Sequence, residues 1–127
     1  MDILLDTHTF VWYFNGDKNL SEKAKEAIES DDNLKLISIA SIWEIGVKIS
    51  LGKFNFQDGF NKLLEMINEN GFEILPVTNH HAIAVSSLEF IHRDPFDRML
   101  IAQSMVENLA IVTKDENIHK YKINTIW

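Results

Sequence analysis

Met1-Asp2-Ile3-Leu4-Leu5-Asp6-Thr7 opens the chain, and its pattern decides the fold. Three consecutive apolar residues, Ile3, Leu4 and Leu5, put apolar groups on both faces of a strand, the habit of a central strand in a parallel sheet. An aspartate at the carboxyl end of such a strand stands where open α/β sheets bind their ligands. Asp6 is equally a good N-cap for a helix starting after it. What separates the two roles is whether other carboxylates reach the same edge.

Working outward, four more apolar runs read as strands: Leu34 to Ser38, Phe72 to Val77, Ala110 to Thr113 and Ile123 to Ile126. Helical patterns lie between them. One follows Asp6 and closes at Asn15-Gly16; a second has Ser21 as its cap and runs to about Ser30; a third runs from about Ile39 to Leu51 and ends at Gly52. A fourth, from about Asp58 to Asn70, carries Phe60, Leu63, Leu64 and Ile67 on one side. Thr78 caps a fifth, and Asp94-Pro95 opens a sixth, proline being favoured at the first helical position. Strands alternating with helices predict an α/β fold, a parallel sheet of about five strands with helices on both faces.

The chain of 127 residues is the size of one domain, residues 1–127, and its 46% hydrophobic and 24% charged residues are ordinary for a globular protein. It has no cysteine, which removes disulfides, thiolate zinc sites and a cysteine nucleophile. The start lacks a basic segment before its apolar residues, and no stretch is long enough to span a bilayer, so a soluble cytoplasmic protein without membrane association is expected. The formal charge of −7 argues against a broad basic face for nucleic acid. It leaves room for a nuclease whose clustered acids hold divalent cations, the metal supplying the positive charge that meets the phosphate.

Four acids fall after strands or at helix starts: Asp6, Glu44, Asp97 and Asp115. The carboxyl ends of parallel strands share one edge, and helices that follow strands begin there. Asp97 is the exception, since its helix follows a helix. Each acid also has a structural role open to it. Ser41-Ile-Trp-Glu44 and Thr113-Lys-Asp-Glu116 fit capping boxes, Asp94-Pro-Phe-Asp97 fits an N-cap with an acid in the first turn, and Glu44 stands four residues before Lys48 as a helix-face ion pair. Together, however, four acids on one edge repel one another unless a cation neutralises them. Oxygen ligands suit Mg²⁺ or Mn²⁺.

These residues lie in four blocks: Leu-Leu-Asp6-Thr-His, Ser38-Ile-Ala-Ser-Ile-Trp-Glu44-Ile, His92-Arg-Asp-Pro-Phe-Asp97-Arg-Met-Leu-Ile-Ala-Gln and Val-Thr113-Lys-Asp115-Glu. In that order and spacing they resemble the PIN domain of VapC-type toxins, over essentially the whole chain down to Ile126-Trp127. The resemblance implies a single PIN-like domain that is a Mg²⁺- or Mn²⁺-dependent endoribonuclease, the toxin half of a bacterial type II toxin–antitoxin pair. It implies RNA as substrate, and as partners a VapB-type antitoxin and a second copy in a homodimer. Carried over by position, Asp6, Glu44 and Asp97 are the main acidic residues, Asp115 is the more variable fourth, and Thr113 is the hydroxyl that orients the acids or the attacking water. Asp94 is an alternative to Asp97, which is preferred because it directly precedes Arg98-Met-Leu-Ile-Ala.

Arg93, Arg98 and Lys114 flank these acids as candidate contacts for substrate phosphates, surface solubility being their other reading. The five histidines show no H-x-x-x-H spacing, which speaks against a histidine metal site. Phe10, Val11, Trp12, Tyr13 and Phe14 are consecutive and cover every face of their helix, so Phe10, Trp12, Tyr13 and Phe14 are candidate partner contacts, unless the helix is almost fully enclosed. Trp12 and Trp43 read as core or interface. A phosphoacceptor signalling domain is disfavoured because no acidic pair follows the first strand and no Lys-Pro occurs, and a haloacid-dehalogenase-like phosphatase because His8 stands where a second aspartate is needed. The remaining rival is a catalytically silent PIN-like module that binds RNA or protein.

Overall fold

In the computed structural model, which describes residues 1–127, five parallel strands form one sheet. They are β1 (Asp2–Leu5), β2 (Leu34–Ser38), β3 (Glu73–Leu75), β4 (Ala110–Val112) and β5 (Thr125–Ile126), in the order β3-β2-β1-β4-β5. Leu4 pairs with Leu36 on one side and Ile111 on the other, so the opening strand is the centre of the sheet. The helices are α1 (Thr7–Asn15), α2 (Glu22–Glu29), α3 (Ile39–Ser50), α4 (Phe60–Glu69), α5 (Asn79–Ser86), α6 (Pro95–Glu107) and α7 (Glu116–His119).

The run Ile3-Leu4-Leu5 is buried because successive side chains serve different cores. Ile3 and Leu5 join Phe10, Ile28, Ile37, Ile45, Leu63 and Ile67 on one face of the sheet. Leu4 joins Leu36, Leu100, Ile101, Ile111 and Ile118 on the other. Helices on both faces therefore follow directly from an opening strand with no polar side. No helix is long and apolar enough to cross a membrane.

β2 matches its apolar run, and the other strands are shorter than the runs that announce them. Phe72, Val77 and Thr113 lie outside the ladder, and only Thr125 and Ile126 of the last run pair. The extra apolar residues pack instead: Phe72 is buried against Tyr13 and Phe14, and Ile123 packs on the Leu4 side. Helix ends follow the expected chemistry. Ser21 accepts from Ala24 N–H at 3.0 Å, Asp94 accepts from Phe96 and Asp97 N–H at 2.9 and 3.0 Å, and Gly16 closes α1 in the left-handed conformation with φ of 62°.

Neither expected capping box forms around Glu44 or Thr113. Ser38 caps α3, which places Ser41 inside the helix, and Asp115 caps α7, which leaves Thr113 outside it. The capping box that does form is at α5, where Thr78 accepts from His81 N–H and His81 Nδ1 accepts from Thr78 N–H. Freed from capping, the Ser41 and Thr113 hydroxyls act elsewhere.

Candidate active site

Asp6 does both things that its position allows. It caps α1, its Oδ1 accepting from Thr9 N–H at 2.8 Å, and its Oδ2 accepts a short hydrogen bond from Thr113 Oγ1. The backbone fixes this corner: Asp6 N–H and Thr9 Oγ1 both donate to Val112 O, at 3.2 and 2.9 Å. Thr113 in turn accepts from Asp115 N–H at 3.0 Å, so one hydroxyl ties the end of β1 to the turn after β4. Burial pushes the Asp6 carboxyl above its ordinary value, against the lowering effect of the bonds from Thr113 and Thr9.

Glu44, inward-facing on α3, is buried and fully partnered. Thr7 Oγ1 lies 2.6 Å from Glu44 Oε1 and 3.0 Å from Ser41 Oγ. One hydroxyl proton serves one acceptor, so Thr7 donates to Glu44 and receives from Ser41. Lys48 Nζ meets Glu44 Oε2 at 2.8 Å, the expected i,i+4 pair.

Asp97 reaches the same edge because α6 runs back to feed β4, so its first turn begins at the strands' carboxyl ends. Its carboxyl is pushed up to about 8 by burial, then by the charges of Asp94, Asp6, Glu44 and Asp115. Each of the other proposed acids thus repels charge on Asp97. Its Oδ2 lies 3.1 Å from His92 Nε2, and Asp115 Oδ2 lies 3.0 Å from the same nitrogen. Burial raises the Asp115 carboxyl, but hydrogen bonds from His92 and from the Asn117 and Ile118 backbone outweigh it, leaving that group below its ordinary value.

The structure therefore gathers Asp6, Glu44, Asp97, Asp115 and Thr113 at one edge, and it separates Asp94 from Asp97. Asp94 spends its Oδ1 on the cap of α6 while Asp97 faces the cluster. Arg98 is a correction. It is 7% exposed, donates to the carbonyls of Leu88, Glu89 and His92 at 3.1 to 3.2 Å, and stacks on Phe90 at 4.0 Å from the ring centroid. A guanidinium so committed is not available to RNA. Arg93 and Lys114 are exposed, and Lys114 with Asp6, His8, Trp12 and Asp115 lines a cavity of about 280 Å³.

Phe10 is the second correction: it is fully buried in the core and cannot touch a partner. Trp12, Tyr13 and Phe14 are half-buried, Trp12 lying beside His8 and Trp127 with ring centroids at 5.7 and 6.0 Å. Trp43 is 66% exposed and so is no core residue; it lies edge-on to Phe96 in an apolar groove with Ile39, Val77 and Met99.

Three residues of the site escape sequence reasoning. His92, judged only by its distance from other histidines, joins Asp97 and Asp115 in a cluster whose ligand atoms lie within 4.8 Å. Its visible signal is the His-x-Asp spacing, which brings the Asp94 N–H within reach of the ring. Thr7 and Ser41 position Glu44, and only the crossing of α1 and α3 reveals that.

The family model described as PIN domain matches residues 3–124. Ribonuclease VapC22 of Mycobacterium tuberculosis is 25% identical over 128 residues, 98% of each chain. Among solved structures, VapBC2 from Rickettsia felis, bound to a DNA fragment from their promoter, superimposes with a TM-score of 0.74 at 14% identity, over 98% of this chain and 97% of that one. A toxin–antitoxin complex from Klebsiella pneumoniae gives 0.68 at 16% identity, over 98% and 96%. These structures share the fold.

Proposed function

The chain belongs to the PIN domain family, and from that premise we propose that it is a divalent-metal-dependent endoribonuclease, the toxin of a toxin–antitoxin pair. One observation carries this reading. Four carboxylates from β1, α3, α6 and the turn after β4 meet at one edge, where Asp97 is pushed up to about 8 by burial and by the other acids. Carboxylates are brought together in this way at a cost that a cation offsets. The likeness to a relative named a ribonuclease supports the choice of reaction.

The donor set fits a hard ion. Asp97 Oδ1 takes no hydrogen bond from the protein, and the neighbouring groups are carboxylate oxygens, which suit Mg²⁺ or Mn²⁺. Asp6 and Asp97 would hold it, with Glu44 and Asp115 completing the acidic surround. When bound, such an ion lowers the pKa of a water and stabilises charge on the phosphate. The chain's own groups do the rest: Thr113 orients Asp6, Thr7 and Lys48 hold Glu44, and exposed Lys114 and Arg93 meet substrate phosphates.

The partners follow from the same premise. The chain takes a VapB-type antitoxin, forms a homodimer and works in the cytoplasm, and the half-buried Trp12, Tyr13 and Phe14 of α1 are the proposed partner contacts. The likeness to toxin–antitoxin assemblies supports the antitoxin. Cleavage of total RNA with Mg²⁺ or Mn²⁺, with EDTA as control, tests the function. Metal-dependent cleavage is expected, with loss of roughly 100-fold or more in Asp6→Asn. Silence with both metals would leave a catalytically silent RNA- or protein-binding module.

A further inference from the structure

We propose that the cavity walled by His8, Trp12 and Lys114 beside Asp6 and Asp115 is a nucleobase subsite, holding one unpaired base of the RNA next to the phosphate that is cut. The proposal rests on the reading above and concerns how that substrate is held.

Helix geometry builds the aromatic wall. His8 and Trp12 are one turn apart on α1, so their side chains share a face, and helical side chains lean toward the N-terminus. The cap at that end of α1 is Asp6. Both rings therefore lean toward the acidic edge, with centroids 5.7 Å apart and planes at 25°. Trp127, packed on the core, lies against the indole at 6.0 Å between centroids.

Lys114 arrives from the other side, on the turn after β4, and its Nζ lies 5.9 Å from the centroid of the Trp12 ring. With Asp6 and Asp115 these three side chains line about 280 Å³. His8 and Lys114 are exposed and Trp12 is half-buried, so the cavity is reached from solvent.

The walls decide what enters. A phosphate inside meets two carboxylates and one ammonium, whereas an uncharged base offers its π-face to two aromatic rings, a contact that every base can make. A chain with a formal charge of −7 also draws little from broad attraction to the RNA backbone. Contact with a base therefore carries more of the binding. Asp6 belongs both to this cavity and to the acidic edge, which puts the base beside the cut, while the Lys114 ammonium meets the phosphate of the same nucleotide. A base inside a duplex is stacked and paired, so the subsite takes single-stranded RNA.

An RNA oligonucleotide spanning a cleavage site mapped in total RNA, with one base at a time replaced by hydrogen, is cut by the full chain with Mg²⁺. One position beside the cut is expected to lose about 5- to 150-fold in kcat/KM, through KM, as removal of one stacked base does. In Trp12→Leu, and in His8→Ala at an exposed side chain, the intact RNA should be cut less efficiently and the abasic position should matter less. Tolerance of every abasic position by the wild type overturns the proposal alone. So does a sensitive position whose loss is unchanged in both variants; weakened antitoxin binding by Trp12→Leu beside that unchanged loss assigns the ring to the protein partner instead. No cleavage of any RNA by the wild type overturns the nuclease reading as well.

Discussion

Thr113 Oγ1 and Asp6 Oδ2, 107 residues apart in the chain, share a hydrogen bond that joins the two strands flanking the acidic edge. The same hydroxyl receives the Asp115 N–H at 3.0 Å. Thr113 therefore sets the direction of one carboxylate and the start of the turn that carries another. Thr113→Val keeps the volume and removes the hydroxyl. Mn²⁺ affinity is expected to fall about 10–100-fold, the usual cost of losing an outer partner of a ligand. Thr113→Ser should restore it. Equal affinity in wild type and Thr113→Val would show that the bond orients nothing.

Without metal, stability depends on pH through Asp97. Its carboxyl is raised from an ordinary 3.8 to about 8 in the folded chain. A raised acid stabilises the fold fully below its unfolded value and loses that contribution as pH climbs through the folded one. Asp6 shifts the same way through burial; Asp115, lowered, loses its contribution only as pH falls below the ordinary range. In EDTA, the melting temperature of Asp97→Asn minus that of wild type should grow between pH about 4 and about 8. A constant difference across melts at several pH values would refute the raised Asp97.

Arg98 should behave as a structural residue. Three backbone carbonyls depend on its guanidinium, and removing a buried charged donor leaves them unpaired. Arg98→Ala is expected to cost about 2–4 kcal/mol in denaturant unfolding. Lys114→Ala and Arg93→Ala should leave stability unchanged and weaken RNA binding. A stable Arg98→Ala that merely binds RNA less well would restore the contact reading.

Trp12 tests the partner surface. It is half-buried beside His8 and Trp127, and a charge there is costly to enclose at an apolar interface. Trp12→Glu should weaken antitoxin binding at least tenfold by calorimetry. Unchanged affinity with unchanged oligomeric state would move the contact off α1.

The layout of strands and helices was legible because burial on two faces leaves a plain mark: Ile3-Leu4-Leu5 has no polar side, and β1 lies at the centre. Asp6, Glu44 and Asp115 were legible as a set, since parallel strands force their carboxyl ends together, whereas Asp97, on a helix that follows a helix, was placed with them by the resemblance alone. What the sequence did not disclose depends on contacts between distant elements. Arg98 and Arg93 look alike in sequence, but only Arg98 sits over the chain reversal before α6, where carbonyls await a donor. Thr113 and Ser41 match capping boxes on spacing, but the helices begin elsewhere and free both hydroxyls. Phe10 and Phe14 are one turn apart on α1, and the depth of each is set by the helices that cover it.

The acidic edge is assembled from residues 6, 44, 97 and 115, and β4, which lies beside β1, follows β1, β2 and β3 in the chain. A nascent chain emerging from the ribosome therefore carries Asp6 and Glu44 long before it has Asp97, Thr113 or Asp115. No product of translation that stops before Asp115 holds the completed set, so the machinery that makes a ribonuclease is spared from it until synthesis is nearly finished.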